Sequence, residues 1–476
     1  MRVASWLSAA APMLACLLAC EFSSAGARRG VAARNEVDRN VSTAGGGGRQ
    51  EIPGDPAADD WPAFLGPNHD SRSPAVDLWT EWRKGARPVW EVPVGRGYSS
   101  PVVQGNRLVV MHRQQDEEVI DCLDAETGES VWRVGYPTSY SCPFEYSDGP
   151  YSTPALDGRQ VYALSAEGEL RCLKLGDGEL VWRRAIMAEC QADRGPFAAG
   201  TSPLVEGELV IVNAGGQSTG AGIVGVNKRS GEVVWTATND GCGYATPVPA
   251  TIHGRRYVFV VTRDNLVCLA PEGKVHWSIP FHAKLRDLGK FNATSPVVHG
   301  EHVFASAMGV GSLCVRMLPD GSYEEEWRVH QRVLGSQYAN MAVIEGHLYG
   351  FSSSDRTFRC LDIRSGELRW KMEGEFGRAA PFVAAEGRFI MLTEMGDLAC
   401  VEINPQEARL ASSTPEPLLK GPCYASPALS RGRLYLRDEE KLVCLDLRKS
   451  PGDRTARRSS RDAENSLGEK RRTAGN

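Results

Sequence analysis

The chain carries little excess charge. Its formal net charge is −5 over 476 residues, and so weak an acidic balance gives no basis for nucleic acid as a partner. Beyond the first 20 residues it has no apolar run long enough to span a bilayer as a helix. No Gly-rich phosphate loop follows a strand and opens a helix, and no nucleophile elbow is recognised. There is no Cys-x-x-Cys with a matching His spacing, which removes the usual zinc signature. Histidine is sparse, with nine residues scattered along the chain. His299 and His302 flank Gly300 and read as hairpin residues. Asp116-Glu117-Glu118 and Glu324-Glu325-Glu326 read as solvated charge runs near turns. These absences leave no catalytic, cofactor-binding or metal-binding residue to nominate.

What the chain does have is repetition. One phrase returns eight times, as Tyr98-Ser99-Ser100-Pro101, Tyr151-Ser152-Thr153-Pro154, Gly200-Thr201-Ser202-Pro203, Tyr244-Ala245-Thr246-Pro247, Ala293-Thr294-Ser295-Pro296, Tyr338-Ala339-Asn340-Met341, Arg378-Ala379-Ala380-Pro381 and Tyr424-Ala425-Ser426-Pro427. Successive copies lie 40–53 residues apart, the period of a four-stranded propeller blade. After each phrase come two apolar runs joined by a Gly turn, as in Pro101–Met111, which predicts a hairpin. A third strand then leads through a turn such as Asp124-Ala125-Glu126-Thr127-Gly128 into a Trp. The expectation is an all-β chain, an eight-bladed β-propeller of four-stranded antiparallel blades.

The last unit stops at Cys444-Leu445-Asp446 without its Trp strand, while Arg87-Pro88-Val89-Trp90-Glu91-Val92-Pro93-Val94 stands unpaired before the first phrase. Pairing the two closes the ring with an N-terminal strand and removes an open edge. Trp90, Trp132, Trp182, Trp235, Trp277, Trp327 and Trp370 occupy one repeat position and read as structural contacts between blades, because a large flat ring can cover the neighbouring blade's apolar face. The unit at Pro381 is irregular, with Leu418-Leu419 where the Trp is expected.

Thirteen cysteines suggest a disulfide framework in an exported chain. Seven of them (Cys122, Cys172, Cys268, Cys314, Cys360, Cys400 and Cys444) share one repeat position, and equivalent positions in neighbouring blades stand too far apart to bridge. They read as small core residues. A Cys142–Cys190 bridge stays open.

The first 27 residues read as an export signal, with Arg2 followed by an apolar stretch over 6–19. Leu17-Leu18-Ala19-Cys20 resembles a lipobox, which would make Cys20 a lipid anchor. Ala25-Gly26-Ala27 is the competing site for release of a soluble protein. Residues 28–60 read as a disordered tether, 61–86 as a lead-in segment, 87–447 as the propeller and 448–476 as a disordered basic tail.

The phrases ending Ala-x-Thr-Gly-x-x-x-Trp, and the opening Trp61-Pro62-Ala63-Phe64-Leu65-Gly66-Pro67-Asn68, resemble the secreted PQQ-like repeat β-propeller family. That resemblance implies two branches. One comprises quinoprotein dehydrogenases, which hold pyrroloquinoline quinone (PQQ) and Ca²⁺ under an adjacent-Cys disulfide. This sequence has no adjacent Cys pair and no acidic cluster in the inter-blade phrases. The other branch is non-catalytic and similar to BamB, a lipoprotein of the outer-membrane barrel assembly machinery. The expected function is therefore an exported, non-catalytic, monomeric ring. It would lie in the periplasm, at the outer membrane or at the cell surface, and act as a scaffold for protein partners without a cofactor. The alternatives are a PQQ- and Ca²⁺-dependent alcohol or sugar dehydrogenase, and a carbohydrate- or peptide-binding module. Candidate partner-facing residues are Tyr98, Tyr151, Tyr244, Tyr338 and Tyr424 of the phrases, with Tyr140, Phe144, Phe197 and Arg286 of the long inter-blade insertions.

Overall fold

The computed structural model describes residues 39–40, 54–144, 146–193, 195, 197–282 and 292–449. The expected signal with Cys20, and Arg286, lie outside them, as does all of the basic tail but Arg448 and Lys449. Eight antiparallel sheets form the ring. Blade 1 holds the strands Val102–Gln104, Arg107–Gln114, Glu117–Asp124 and Ser130–Pro137, and blades 2 to 7 repeat the plan up to Ala408–Ser413. Blade 8 takes Ala428–Ser430, Arg433–Arg437 and Lys441–Asp446 from the end of the ring and its fourth strand, Trp90–Pro93, from the beginning. The ring closes as the orphan strand required.

The Ser/Thr-Pro phrases have a mechanical reason. The backbone N–H of Ser100 donates to Thr153 Oγ1 at 3.0 Å, Thr153 to Ser202 Oγ at 3.0 Å, and Ser202 to Thr246 Oγ1 at 3.1 Å. Thr246 donates to Ser295 Oγ and Ser295 to Asn340 Oδ1, both at 3.0 Å, while Ser426 donates to Ser100 Oγ at 2.8 Å. Blades 1 to 6 thus each satisfy a buried amide of a neighbour, which would otherwise cost about 1–3 kcal/mol. The belt loses its hydroxyl where Ala380 stands.

The Cys and Trp positions are also explained by register. Cys122 faces Trp132, Cys314 faces Trp327, Cys360 faces Trp370 and Cys444 faces Trp90 across the third and fourth strands. All seven repeat cysteines are buried and unpaired. Cys142 and Cys190 are unpaired as well, so the bridge left open by the sequence is not formed. Each indole then reaches the next blade. Trp132 Nε1 donates to Leu175 O at 2.8 Å, Trp182 to Lys228 O at 3.0 Å and Trp327 to Ile363 O at 2.8 Å. The turn glycine of the repeat is the seat for that ring. Gly128 and Gly178 have φ of 77° and 75°, and a Cβ on them would lie 2.8 Å and 2.7 Å from the indoles of Trp90 and Trp132.

Blade 7 departs from the sequence expectation. Its fourth strand is Ala408–Ser413, ahead of Leu418-Leu419, and Ser412 faces Cys400 where other blades place Trp. The vacancy is filled from elsewhere. Trp82, fully buried, donates its backbone N–H to Ser412 Oγ at 2.6 Å and lies in the cluster that joins blades 7 and 8. It belongs to a strap that crosses the face opposite the phrases. Trp61 pairs with Val103 of blade 1, Pro62 O accepts from Leu156 N of blade 2, and Ser71 and Ser73 bond both backbone groups of Ala384 in blade 7. Asp60 is buried and accepts from Gly105 N at 3.1 Å and Arg431 Nε at 3.0 Å.

Candidate interaction face

The phrases open each blade at the end of the ring away from the strap, and two long insertions fold over that mouth. The first, after Pro137, is pinned at its base. Arg113 donates to the carbonyls of Tyr140 and Asp148, and Asp148 Oδ1 accepts Cys142 N at 2.8 Å. Ser147 N donates to the Tyr98 hydroxyl at 3.1 Å, and the Tyr151 hydroxyl donates to Ser147 O at 2.9 Å. This scaffold carries Tyr146 across the mouth, where its hydroxyl meets that of Tyr338, four blades on, at 2.8 Å.

The rings form one connected set. Tyr98 lies 5.0 Å from Tyr151 and 5.2 Å from Tyr424 between ring centroids, and Tyr424 lies 5.4 Å from Tyr338. Tyr244 joins through Phe197 of the second insertion at 5.9 Å. Phe197 also contacts Tyr146 at 5.5 Å and Phe144 at 5.4 Å. Centroid separations of this size are those of favourable aromatic pairs. The five phrase tyrosines are half-buried, while Phe144 is 40% exposed. Gly200, at the phrase position of blade 3, leaves room for the Tyr244 ring, which a Cβ would approach to 2.7 Å. Burial raises the hydroxyl pKa of Tyr98, Tyr151, Tyr244, Tyr338 and Tyr424, most strongly through desolvation. At neutral pH the mouth therefore presents neutral phenols, able to donate hydrogen bonds and to stack.

Three features of this face were not nominated from the sequence. Arg378 fills the phrase position of blade 7 beside Glu394, which accepts Arg378 N and the Tyr424 hydroxyl, both at 2.6 Å. Met395, next to Glu394, and Met308, in the turn of blade 5, are exposed. Only the repeat position of Arg378 could have marked it. The charge run at Asp116-Glu117-Glu118 is corrected in part. Glu118 is fully buried and accepts the Tyr136 hydroxyl and Ala166 N, both at 2.9 Å, and desolvation lifts its pKa to about 7. Two glycine spacings also went unrecognised. Gly216-Gln217-Ser218-Thr219-Gly220 has the Gly-x-Ser-x-Gly form, but it makes an exposed 3-10 turn instead of a strand-to-helix elbow. Gly220-Ala221-Gly222-Ile223-Val224-Gly225 leads into the strand Ile223–Asn227 and opens no helix.

The family described as outer membrane protein assembly factor BamB matches residues 115–372, more than half of the chain. This chain belongs to that family. A relative, the outer membrane protein assembly factor BamB of Alkalilimnicola ehrlichii, is 37% identical over 93 residues, 19% of this chain and 23% of the relative. The alignment thus spans under a quarter of that protein. Among solved structures, BamB from Moraxella catarrhalis matches with a TM-score of 0.56 at 14% identity, covering 76% of this chain and 99% of that one. A quinohemoprotein alcohol dehydrogenase from Comamonas testosteroni matches with a TM-score of 0.56 at 13% identity, covering 82% and 81%. A europium-containing methanol dehydrogenase matches with 0.57 at 12% identity, covering 80% and 89%. At such identities the likeness is one of fold, and the ring is common to assembly factors and quinoproteins alike.

The donor set can be tested against a quinone held with a hard metal ion, which needs several convergent oxygen ligands. Among the described residues no three His, Cys, Asp or Glu side chains converge on one point. The mouth of this BamB-family ring is instead filled by phenyl and phenol rings. These side chains do not fit a metal-chelated quinone.

Proposed function

We propose that this protein is a non-catalytic interaction scaffold of the bacterial cell envelope, working with protein partners in outer-membrane assembly through its aromatic mouth. The observation that carries the reading is the pinned insertion, which brings Tyr146 to Tyr338 and packs it and the exposed Phe144 on Phe197, on a face that also carries Arg378 and the exposed Met308 and Met395. Rigid aromatic groups, an arginine and adaptable methionines are the side chains that anchor protein contacts. Membership of the BamB family supports the envelope setting, and the export signal read over residues 1–27 agrees with it.

The test is site-specific photocross-linking in the native envelope. A photoreactive residue in place of Phe144 is expected to capture a component of the outer-membrane assembly apparatus, and one in place of Val234 on the outer rim is not. Equal capture from both positions would remove the mouth as the docking face. Titration with PQQ, with and without Ca²⁺, followed by Trp fluorescence and calorimetry, addresses the dehydrogenase alternative. Saturable Ca²⁺-dependent binding at one site would overturn the scaffold reading.

A further inference from the structure

The fourth strand of each blade is an open β edge, and proteins guard such edges by keeping them short or charged. Most of this ring follows the rule. The outer strands of blades 2 to 8 run four to seven residues, and several carry charge, as at Arg183 and Arg184, at Glu324 to Glu326, and at Arg369 and Lys371. Blade 1 does not. Its outer strand, Ser130–Pro137, is eight residues long. Its one charged residue, Arg133, is turned onto Asp121, with Nε 2.6 Å from Oδ1.

This is also the blade that holds a fifth strand. Arg39–Asn40 pairs antiparallel with it, Arg39 opposite Gly135 and Asn40 opposite Val134. Val134, Gly135 and Tyr136 are buried in succession, whereas the outer strands of blades 2 and 6 have no buried residue.

We propose that the outer edge of blade 1 is a strand-addition site, taken in cis by Arg39–Asn40. Main-chain hydrogen bonds carry such a contact. It fastens the N-terminal tether to the rim of the ring and closes the longest open edge to other strands.

Hydrogen exchange on the full chain tests this. The double variant Arg39→Pro/Asn40→Pro removes both N–H groups, and exchange over 130–137 is expected to rise on the order of tenfold. Arg39→Ala/Asn40→Ala keeps the backbone donors and should leave that region protected. The outer strand of blade 5, Tyr323–Val329, is the internal reference and should not change. Exchange over 130–137 that is the same in the proline variant and the parent overturns the proposal. So does equal loss of protection in the alanine variant, or a rise shared by every outer strand.

Discussion

At the residue scale, two positions lead to measurable consequences. Gly128 combines a positive φ with an indole pressed against the place a Cβ would occupy. Gly128→Ala should cost roughly 2–4 kcal/mol, the sum of left-handed strain and overpacking. In a Trp90→Ala background the overpacking part should vanish, leaving about 1–2 kcal/mol; urea unfolding of the four proteins in the cycle measures both. Glu118 is the second. Its pKa rises from 4.5 in the open chain to about 7 in the fold, so between those values the folded protein binds the extra proton. Stability from this group is complete below about pH 4.5 and is lost as pH climbs through about 7. Glu118→Gln keeps an acceptor for Tyr136 and Ala166 but has no proton to lose. The parent should therefore weaken relative to the variant over that window, by up to about 3 kcal/mol, in denaturation curves taken at several pH values. Neither role follows from residue type alone. The turn at Gly128 was legible because a glycine recurs at that place in register. Glu118 was not, because a charged triplet beside a turn is normally solvated, and only the packing of blade 2 against blade 1 buries this one.

At the scale of elements, the strands and their order were legible because hairpin turns, Cys and Trp all repeat on one period. Blade 7 was not. Its fourth strand, Ala408–Ser413, has no aromatic residue, so the missing Trp was sought further on at Leu418-Leu419. The ring solved the vacancy with a residue 330 positions away in sequence from Ser412, and no local pattern connects the two. Trp82 should then behave as an inter-blade Trp despite lying outside every repeat. Trp82→Ala is expected to destabilise the protein by about 3–5 kcal/mol, comparable to Trp132→Ala, in chemical denaturation. A cost near zero would mean that the seam between blades 7 and 8 is held by other contacts. The aromatic mouth shows the same division. The phrase tyrosines were legible from their period, whereas the crossing of Tyr146 to Tyr338 depends on the fold of one insertion, and Arg378 was hidden in a phrase that had lost its Tyr.

For the whole molecule, cohesion comes from three circular systems: the hydroxyl belt, the Trp seats and the closing strand of blade 8. Blade 7 lacks its share of two of them. It has Ala380 in the belt and Ser412 in the Trp position, and the turn that receives Trp370 is Asn404-Pro405-Gln406-Glu407, with no glycine. It is compensated on one side by the packed rings of Phe351, Phe358, Phe382 and Phe389 toward blade 6. On the other side the strap compensates through Ala384, Glu386 and Trp82, alongside the hydrogen bonds of the Tyr424 hydroxyl and Cys423 N to Glu394. A ring whose joints are unequal should open at the weakest one, because local openings follow local contact strength. Removing residues 54–86 therefore should not loosen all blades alike. Hydrogen exchange is expected to accelerate first in the strands of blade 7, Phe382–Ala385 through Ala408–Ser413, and in the facing strands of blade 8. Blades 3 to 5 lie far from that seam and should keep their protection. Uniform acceleration around the ring would show that the strap stabilises the closed circle as one unit, and that the belt and the Trp seats do not confine the opening to blade 7.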